Sequence, residues 1–242
     1  MVIGGLDAAA RFLPRAWRAA WGGLILASAA IAFALAHGSL AVWFAALTMV
    51  LIARGGLWRL ASGAKPVGPA GLQFGVIEAR LAGVWLLSAL FLGVLLLLAF
   101  VLLLCGAYAA ASAGRGFDPA NVASWVPAIV GGGRVLLGAI AGLCAAGIVF
   151  VAVRISLAEA ATVHRSKIQV LAAFALSRGR TLALAAAYVI VAAPVIILAA
   201  WCMIHGYTNV WAAAEGLAVG GLWLPTSVGL MAYGFDLCAR PT

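Results

Sequence analysis

The sequence has very little charge. Only 9% of its 242 residues are Asp, Glu, Lys or Arg, whereas 67% are hydrophobic; soluble domains carry about 25% charged and about 45–50% apolar residues. This composition excludes an ordinary soluble protein and predicts an all-α, polytopic membrane protein. The formal net charge of +9 does not indicate nucleic-acid binding, because the basic residues do not cluster densely among polar and aromatic residues that could contact bases.

Patterns typical of metal sites and disulfides are also missing. No two cysteines form a CxxC pair, and the three histidines lie far apart in the sequence. We interpret the cysteines as small apolar residues of helices and the histidines as polar residues at the membrane interface, and we predict no metal or cofactor. The residues concerned are Cys105, Cys144, Cys202, Cys238, His37, His164 and His205.

Catalytic signatures are missing too. The sequence has no Gly-x-Ser-x-Gly, HExxH, P-loop or dinucleotide-binding pattern, and no close pair of acids for acid–base chemistry. Enzymatic activity is therefore not expected. Glu159 follows Arg154 by five residues, so we expect it to reach that arginine or its loop. Glu78 precedes Arg80 by two residues, and a similar ion pair is expected there.

Long apolar runs dominate the sequence. A transmembrane helix needs about 20 mostly apolar residues to cross about 30 Å of hydrocarbon. Six runs qualify, and we interpret the first as a retained span because another apolar run follows almost at once. We expect one membrane domain, residues 1–242, built as a six-helix bundle. The runs are 19–36, 39–56, 81–110, 134–160, 181–204 and 211–236.

The basic residues indicate an orientation. With the N-terminus inside, only Arg115 and Arg134 fall on the outer side, and thirteen fall on the inner side, as the positive-inside rule requires. Both termini are therefore expected in the cytoplasm. The thirteen are Arg11, Arg15, Arg18, Arg54, Arg59, Lys65, Arg80, Arg154, Arg165, Lys167, Arg178, Arg180 and Arg240.

Five of these residues gather in residues 153–180, the basic segment. Ile168, Leu171 and Ala175 recur there at helix spacing, which predicts a short helix in the membrane interface with its apolar side in the acyl boundary. Each basic residue near anionic headgroups contributes about 1 kcal/mol. The candidate contacts with phospholipid, or with a partner protein, are Arg154, Arg165, Lys167, Arg178 and Arg180.

Two further short helices are predicted. Asp7 is expected to cap an N-terminal helix that carries three arginines on one face. Asp118, followed by a proline, is expected to cap a second helix that runs to about Ile129 along the outer surface. Trp125 would then lie at headgroup depth.

Two pairs of glycines have a spacing that lets helices approach closely. Gly138 and Gly142 lie in the fourth span, and Gly216 and Gly220 lie in the sixth. Such pairs serve either packing inside the bundle or contact with another copy.

Several segments resemble one group of bacterial inner-membrane proteins. They are VRISLAEAATVHRSKIQVLAAFALSRGRTLALAAAYVIVAAP, GLWRLASG at 56–63 and GLQFGVIEARLAGV at 71–84. The group is the membrane domain attached to some glycerophosphodiester phosphodiesterases, with related six-helix proteins, and the similarity covers roughly 54–84 and 150–195. It implies an inner-membrane location and six helices. The soluble phosphodiesterase domain has no counterpart here, so its activity is not implied. The match depends on Arg154, Ser156, Leu157, Ser177, Gly179 and Arg180.

Two functions remain open. We expect a non-enzymatic structural or accessory protein whose basic segment contacts anionic lipid or a partner. The alternative is a small transporter or lipid-handling permease, because Glu215 lies within the sixth span, where ionisable residues are often functional. Pro194 and Pro225 are expected to kink the fifth and sixth helices around such a site. A hydrated cavity at Glu215 would favour transport, and a packed interior the accessory role.

Overall fold

The computed structural model describes residues 2–63, 68–206 and 208–239. Over these ranges the chain is helical and contains no strand. Three short turns of other helix types lie between the α-helices. Two are 3₁₀ turns, Pro69–Gly71 and Val122–Ser124, and one is a π-helical turn, Ala218–Trp223. The helices are α1 (Val2–His37), α2 (Leu40–Ser62), α3 (Val76–Ser112), α4 (Trp125–Ala128), α5 (Gly132–Ser156), α6 (Ala158–Arg165), α7 (Ala172–Leu176), α8 (Thr181–His205), α9 (Asn209–Leu217) and α10 (Leu224–Ala239).

Six helical segments are long and apolar enough to cross a membrane, which confirms the predicted six-span, all-α architecture. Large apolar side chains are exposed along them, as at Leu97 (62%) and Leu182 (85%). Lipid tails, which are as apolar as leucine, suit such a surface. The chain is therefore a multi-pass membrane protein. The segments are Val2–His37, Leu40–Ser62, Pro69–Ser112, Gly132–Arg165, Thr181–His205 and Asn209–Ala239.

The first two spans have boundaries that differ from the prediction. The N-terminal helix and the first span form one element, α1, with a kink at Ala20 (φ −127°, ψ 24°). Asp7 lies inside α1 and does not cap it; it pairs with Arg11 over 2.8 Å. Near the start of α1, Gly5 is buried against Leu230 of α10. The second helix continues to Ser62, beyond the predicted end at residue 56.

Contacts along the chain define two compact units: unit 1 is 1–86 with 153–242, and unit 2 is 87–152. In unit 1, α1 packs against α2, α9 and α10. The turn Pro69–Gly71 lies against both α1 and α2. Gly71 has a φ of +80°, and its carbonyl oxygen is 2.8 Å from where a Cβ at Gly56 would lie. A Cβ there would push the turn away, so this close approach needs glycine.

The two prolines of the last helices behave differently. Pro194 lies inside α8, which is helical from Thr181 to His205. Pro225 follows the π-helical turn, and it has no N–H to donate to the carbonyl of Gly221, four residues earlier. The indole Nε1 of Trp17 donates to that carbonyl over 2.9 Å. Helix α1 thereby supplies a hydrogen bond that Pro225 cannot make.

Unit 2 contains a small aromatic cluster. Trp125 is buried within this unit, with its ring 5.4 Å from Tyr108, which lies 5.2 Å from Phe117. The predicted helix start at Asp118 is wrong: the helical turn begins at Val122, and Asn121 caps it by accepting from the N–H of Ala123 over 3.1 Å. Asp118 instead closes a local turn by accepting from the N–H of Ala120.

Candidate functional site

Several helix ends of unit 1 meet at one end of its bundle. The guanidinium of Arg180, just before α8, donates to the carbonyl of Leu237 near the end of α10. The ring of His164 on α6 stacks on Phe235 of α10, with centroids 4.6 Å apart. The start of α1 and the end of α2 pack beside α10 at this same end. The basic segment is therefore attached to the C-terminal helix.

The first buried ion pair joins α2 to α6. Nε of Arg54 lies 2.6 Å from Oε2 of Glu159, and the two side chains are only 4% and 11% exposed. The same oxygen accepts from Nε1 of Trp58 over 2.8 Å, and Oε1 accepts from Nε1 of Trp85 over 2.8 Å. Both carboxylate oxygens thus have charged or polar donors, which is what makes a buried charge tolerable.

The guanidinium of Arg54 has further neighbours on α10 and the π-helical turn. Nη1 donates to the hydroxyl of Ser227 over 3.3 Å, and Nη2 lies 3.5 Å from the sulfur of Met231. The Cζ atom is 5.7 Å from the centre of the Trp223 ring, a cation–π distance. One side chain from α2 therefore joins α6 and α10.

The second buried ion pair joins α2 to the start of α3. Nη2 of Arg59 donates to Oε2 of Glu78 over 2.6 Å, and that oxygen also accepts from the N–H of Gly75 over 2.8 Å. Glu78 is completely buried. Gly55 makes this arrangement possible, because a Cβ at position 55 would overlap the Glu78 carboxylate.

These partners differ from the predicted ones. The sequence analysis expected Glu159 to reach Arg154 and Glu78 to reach Arg80, because it considered neighbours in the chain. The structure instead gives both acids to arginines of α2, at separations of 105 and 19 residues. Each acid therefore accepts hydrogen bonds from buried donors, and each ion pair joins the ends of two helices.

The five residues proposed for lipid contact have different surroundings. Arg165, Lys167 and Arg178 are exposed, and Arg154 is half-buried. Arg180 is half-buried and donates to the carbonyl of Leu237. Three of the five cations are therefore exposed, whereas Arg180 is held by its hydrogen bond to Leu237.

The basic segment contains two short helices, α6 and α7, where one interfacial helix was predicted. Val170 and Ala173 are buried, and they hold α7 against unit 1. Ile168 and Leu171 are 46% and 71% exposed, and Ala175 is exposed as well. The predicted apolar side is thus present on the outside of the segment.

Glu215 lies in the interior of unit 1. It is 7% exposed, and its Oε2 has no hydrogen-bond partner among the described residues. The buried thiol of Cys202 on α8 lies near its carboxyl group. The carboxyl group is on α9, before the π-helical turn, whereas Pro225 follows that turn.

The two glycine pairs also differ in their surroundings. A Cβ at Gly216 or Gly220 would overlap Ser28 of α1, so α9 and the π-helical turn approach α1 closely. Gly138 and Gly142 are exposed, and within unit 2 a Cβ at either would meet no described atom within 4 Å. Packing inside the bundle is therefore visible for the second pair only.

Sequence reasoning missed Arg54, Arg59 and their aromatic neighbours as a site. It treated both arginines as loop charges that set the orientation. One signal was available: both flank the run Gly-Gly-Leu-Trp at the end of an apolar helix. Charges that continue such a helix need buried partners.

Comparison with known protein families, with curated proteins and with solved structures finds no match. The function of the chain is therefore inferred from its own residues.

Proposed function

We propose that the chain is a non-enzymatic structural or accessory protein of a bacterial inner membrane, whose basic segment binds anionic phospholipid. The observation that carries this is the exposed surface of that segment. Leu171 and Ile168 are 71% and 46% exposed beside the exposed cations Arg165, Lys167 and Arg178. Apolar side chains between basic ones are typical of a segment that lies in the headgroup region.

The expected binding energy is sufficient without a dedicated ligand. Three exposed cations contribute about 3 kcal/mol at an anionic surface, which is about 100-fold in affinity. Immersing Leu171 and Ile168 in the acyl boundary adds to this. An acidic partner protein could engage the same cations, but exposed apolar side chains on a protein that crosses the bilayer favour lipid.

The basic segment is also held in place before lipid binds. The N–H of Gln169 donates to the hydroxyl of Thr162 over 3.1 Å, and His164 stacks on Phe235. Ordering a segment on binding costs free energy. Contacts that order it in advance lower that cost and favour binding.

We infer from the predicted distribution of basic residues, thirteen on the inner side against two on the outer side, that both termini face the cytoplasm. We also infer kinship with the membrane domain of glycerophosphodiester phosphodiesterases. Its basis is the resemblance of the stretches 54–84 and 150–195.

Hydrogen exchange in nanodiscs tests lipid binding by the basic segment. The full chain is placed in discs of phosphatidylcholine with increasing phosphatidylglycerol, and amide exchange is followed over 165–178. We expect protection to rise with the anionic fraction and to fall at high salt, because salt screens exposed charges. Replacing Arg165, Lys167 and Arg178 with Gln should remove the dependence on lipid charge.

The matched control replaces Arg115 and Arg134, the two basic residues assigned to the outer side, with Gln; exchange in 165–178 should then be unchanged. Protection that is independent of lipid charge and of salt would refute the proposal. Protection that appears only when a cell extract is added would assign the surface to a partner protein.

A second function is favoured by Glu215. A buried carboxyl group with one oxygen lacking a partner among the described residues is unusual, and such groups in membrane spans often carry protons or ions. We therefore keep a proton-coupled transporter, with Glu215 as the proton carrier, as the alternative function.

Reconstitution in vesicles with an imposed pH gradient tests this alternative. A transporter should carry protons in a way that Glu215→Gln abolishes and that Asp118→Asn, which changes an exposed acid of unit 2, leaves intact. Equal, background proton flux for all three chains would exclude the alternative.

A further inference from the structure

A second polar feature lies at the same end of unit 1 as the basic segment, between α1, α2 and α10. A cavity of about 290 Å³ opens there, close to the lower end of the range for small-molecule pockets. Its walls combine charged, aromatic and apolar side chains. They are Ala8, Arg11, Phe12, Arg15, Leu60, Ala61, Gly229, Ala232, Tyr233 and Asp236.

The cavity has one cation and one anion that the described part of the chain leaves unpaired. Arg15 and Asp236 are exposed and have no ion-pair or hydrogen-bond partner among residues 2–63, 68–206 and 208–239. Arg11, in contrast, is paired with Asp7 over 2.8 Å. The two unpaired charges have opposite sign and share one cavity, which suits a ligand that itself carries both.

The cavity also has an apolar side and a position suited to lipid. Phe12 of α1 and Leu60 of α2 line it beside the charged residues. It lies where the exposed arginine face of α1 meets the ends of two spans, α2 and α10. A lipid headgroup would find polar partners here, with apolar surface for the adjoining glycerol region.

We propose that this cavity binds the headgroup of an aminophospholipid, with the phosphodiester at Arg15 and the primary ammonium at Asp236. A guanidinium donates to phosphate oxygens in charge-assisted hydrogen bonds, and an ammonium donates to a carboxylate. A phosphatidylglycerol headgroup has no cation for Asp236. A phosphatidylcholine headgroup has a cation but no N–H to donate. This selectivity for a headgroup with both a phosphodiester and an N–H-donating ammonium separates the site from the basic segment, which needs only negative charge.

Lipid retention by native mass spectrometry tests the site. The full chain in mild detergent is incubated with phosphatidylethanolamine, phosphatidylcholine or phosphatidylglycerol of identical acyl chains. Phosphatidylethanolamine should be retained most. Arg15→Gln should lower its retention about tenfold, the effect of losing one charge-assisted hydrogen bond. Asp236→Asn should lower the preference over the other two lipids by a similar factor.

The control is Arg18→Gln, which changes an exposed arginine of the same helix face that does not line the cavity; the lipid preference should persist. Equal retention of the three lipids, or a preference that survives Asp236→Asn, would overturn the proposal. Free phosphoethanolamine that binds as tightly as the lipid would overturn the assignment to a membrane lipid.

Discussion

Gly55 of α2 lies directly against the carboxylate of Glu78 of α3, with no space for a side chain between them. Glu78 holds Arg59, one turn further along α2, over 2.6 Å. A single methyl group at position 55 would therefore displace an acid that is completely buried. The glycine and the ion pair form one structural unit.

We accordingly expect Gly55→Ala to lower the free energy of unfolding by about 3–5 kcal/mol, the usual cost of breaking a buried ion pair. Thermal unfolding of the purified chain in detergent measures this. Gly93→Ala is the matched control, because Gly93 is exposed inside α3 and a Cβ there would meet no described atom within 4 Å. That change should be neutral or stabilise by about 0.5–1 kcal/mol. Equal effects would mean that Gly55 is not the spacer described here.

The Arg54–Glu159 pair gives a second prediction. Glu159→Gln should lower the free energy of unfolding by about 3–5 kcal/mol, because it leaves the Arg54 charge buried and places an amide N–H₂ near two indole donors. Asp7→Asn tests the exposed pair with Arg11 and should cost at most about 1 kcal/mol. Melting curves of the two variants compare the pairs. Similar losses would contradict the structural role of Glu159.

Trp17 and Pro225 give a third prediction, which needs a double-mutant cycle. Trp17→Phe removes the donor to the Gly221 carbonyl and should cost about 1 kcal/mol beyond the change in packing. Pro225→Ala returns an N–H to the helix, so Trp17→Phe should cost less in that background. Unfolding midpoints of the four proteins give the coupling energy. Strictly additive effects would show that the indole does not compensate for the proline.

Two arginines of the basic segment should behave differently. Arg180 donates to the carbonyl of Leu237, whereas Arg178 is exposed. Arg180→Gln should loosen the end of α10, since a cation near a helix C-terminus satisfies its last carbonyls. Limited proteolysis should then cleave within residues 232–239 faster than in Arg178→Gln. Equal cleavage rates would leave Arg180 without this capping role.

The six spans were predictable because hydropathy is a local property. About 20 apolar residues in a row identify a span wherever its neighbours lie. The end of α2 was not predictable in this way. Arg54 and Arg59 look like loop charges until Glu159 and Glu78 are placed beside them, and only tertiary structure does that.

Helix starts also depended on contacts that sequence patterns do not contain. Asp118 followed by proline is a good start signal, yet Asn121 caps the helical turn and Asp118 closes the turn before it. For the basic segment, the sequence named five candidate contact residues, of which Arg165, Lys167 and Arg178 are exposed and Arg154 and Arg180 are half-buried. It did not indicate that Arg180 would bond to Leu237, because that contact joins positions 57 residues apart.

The long separation within the Arg54–Glu159 pair affects how the chain is assembled. Ribosomes deliver the N-terminal part first, so α2 enters the bilayer before its neutralising acid has been made. The partner of Arg59 is made after 19 further residues, but the partner of Arg54 is made only after 105. We therefore expect the charge of Arg54 to stay unpaired until the fourth span has been translated, and a ribosome stalled earlier would leave an insertion intermediate with an unmatched cation near the membrane.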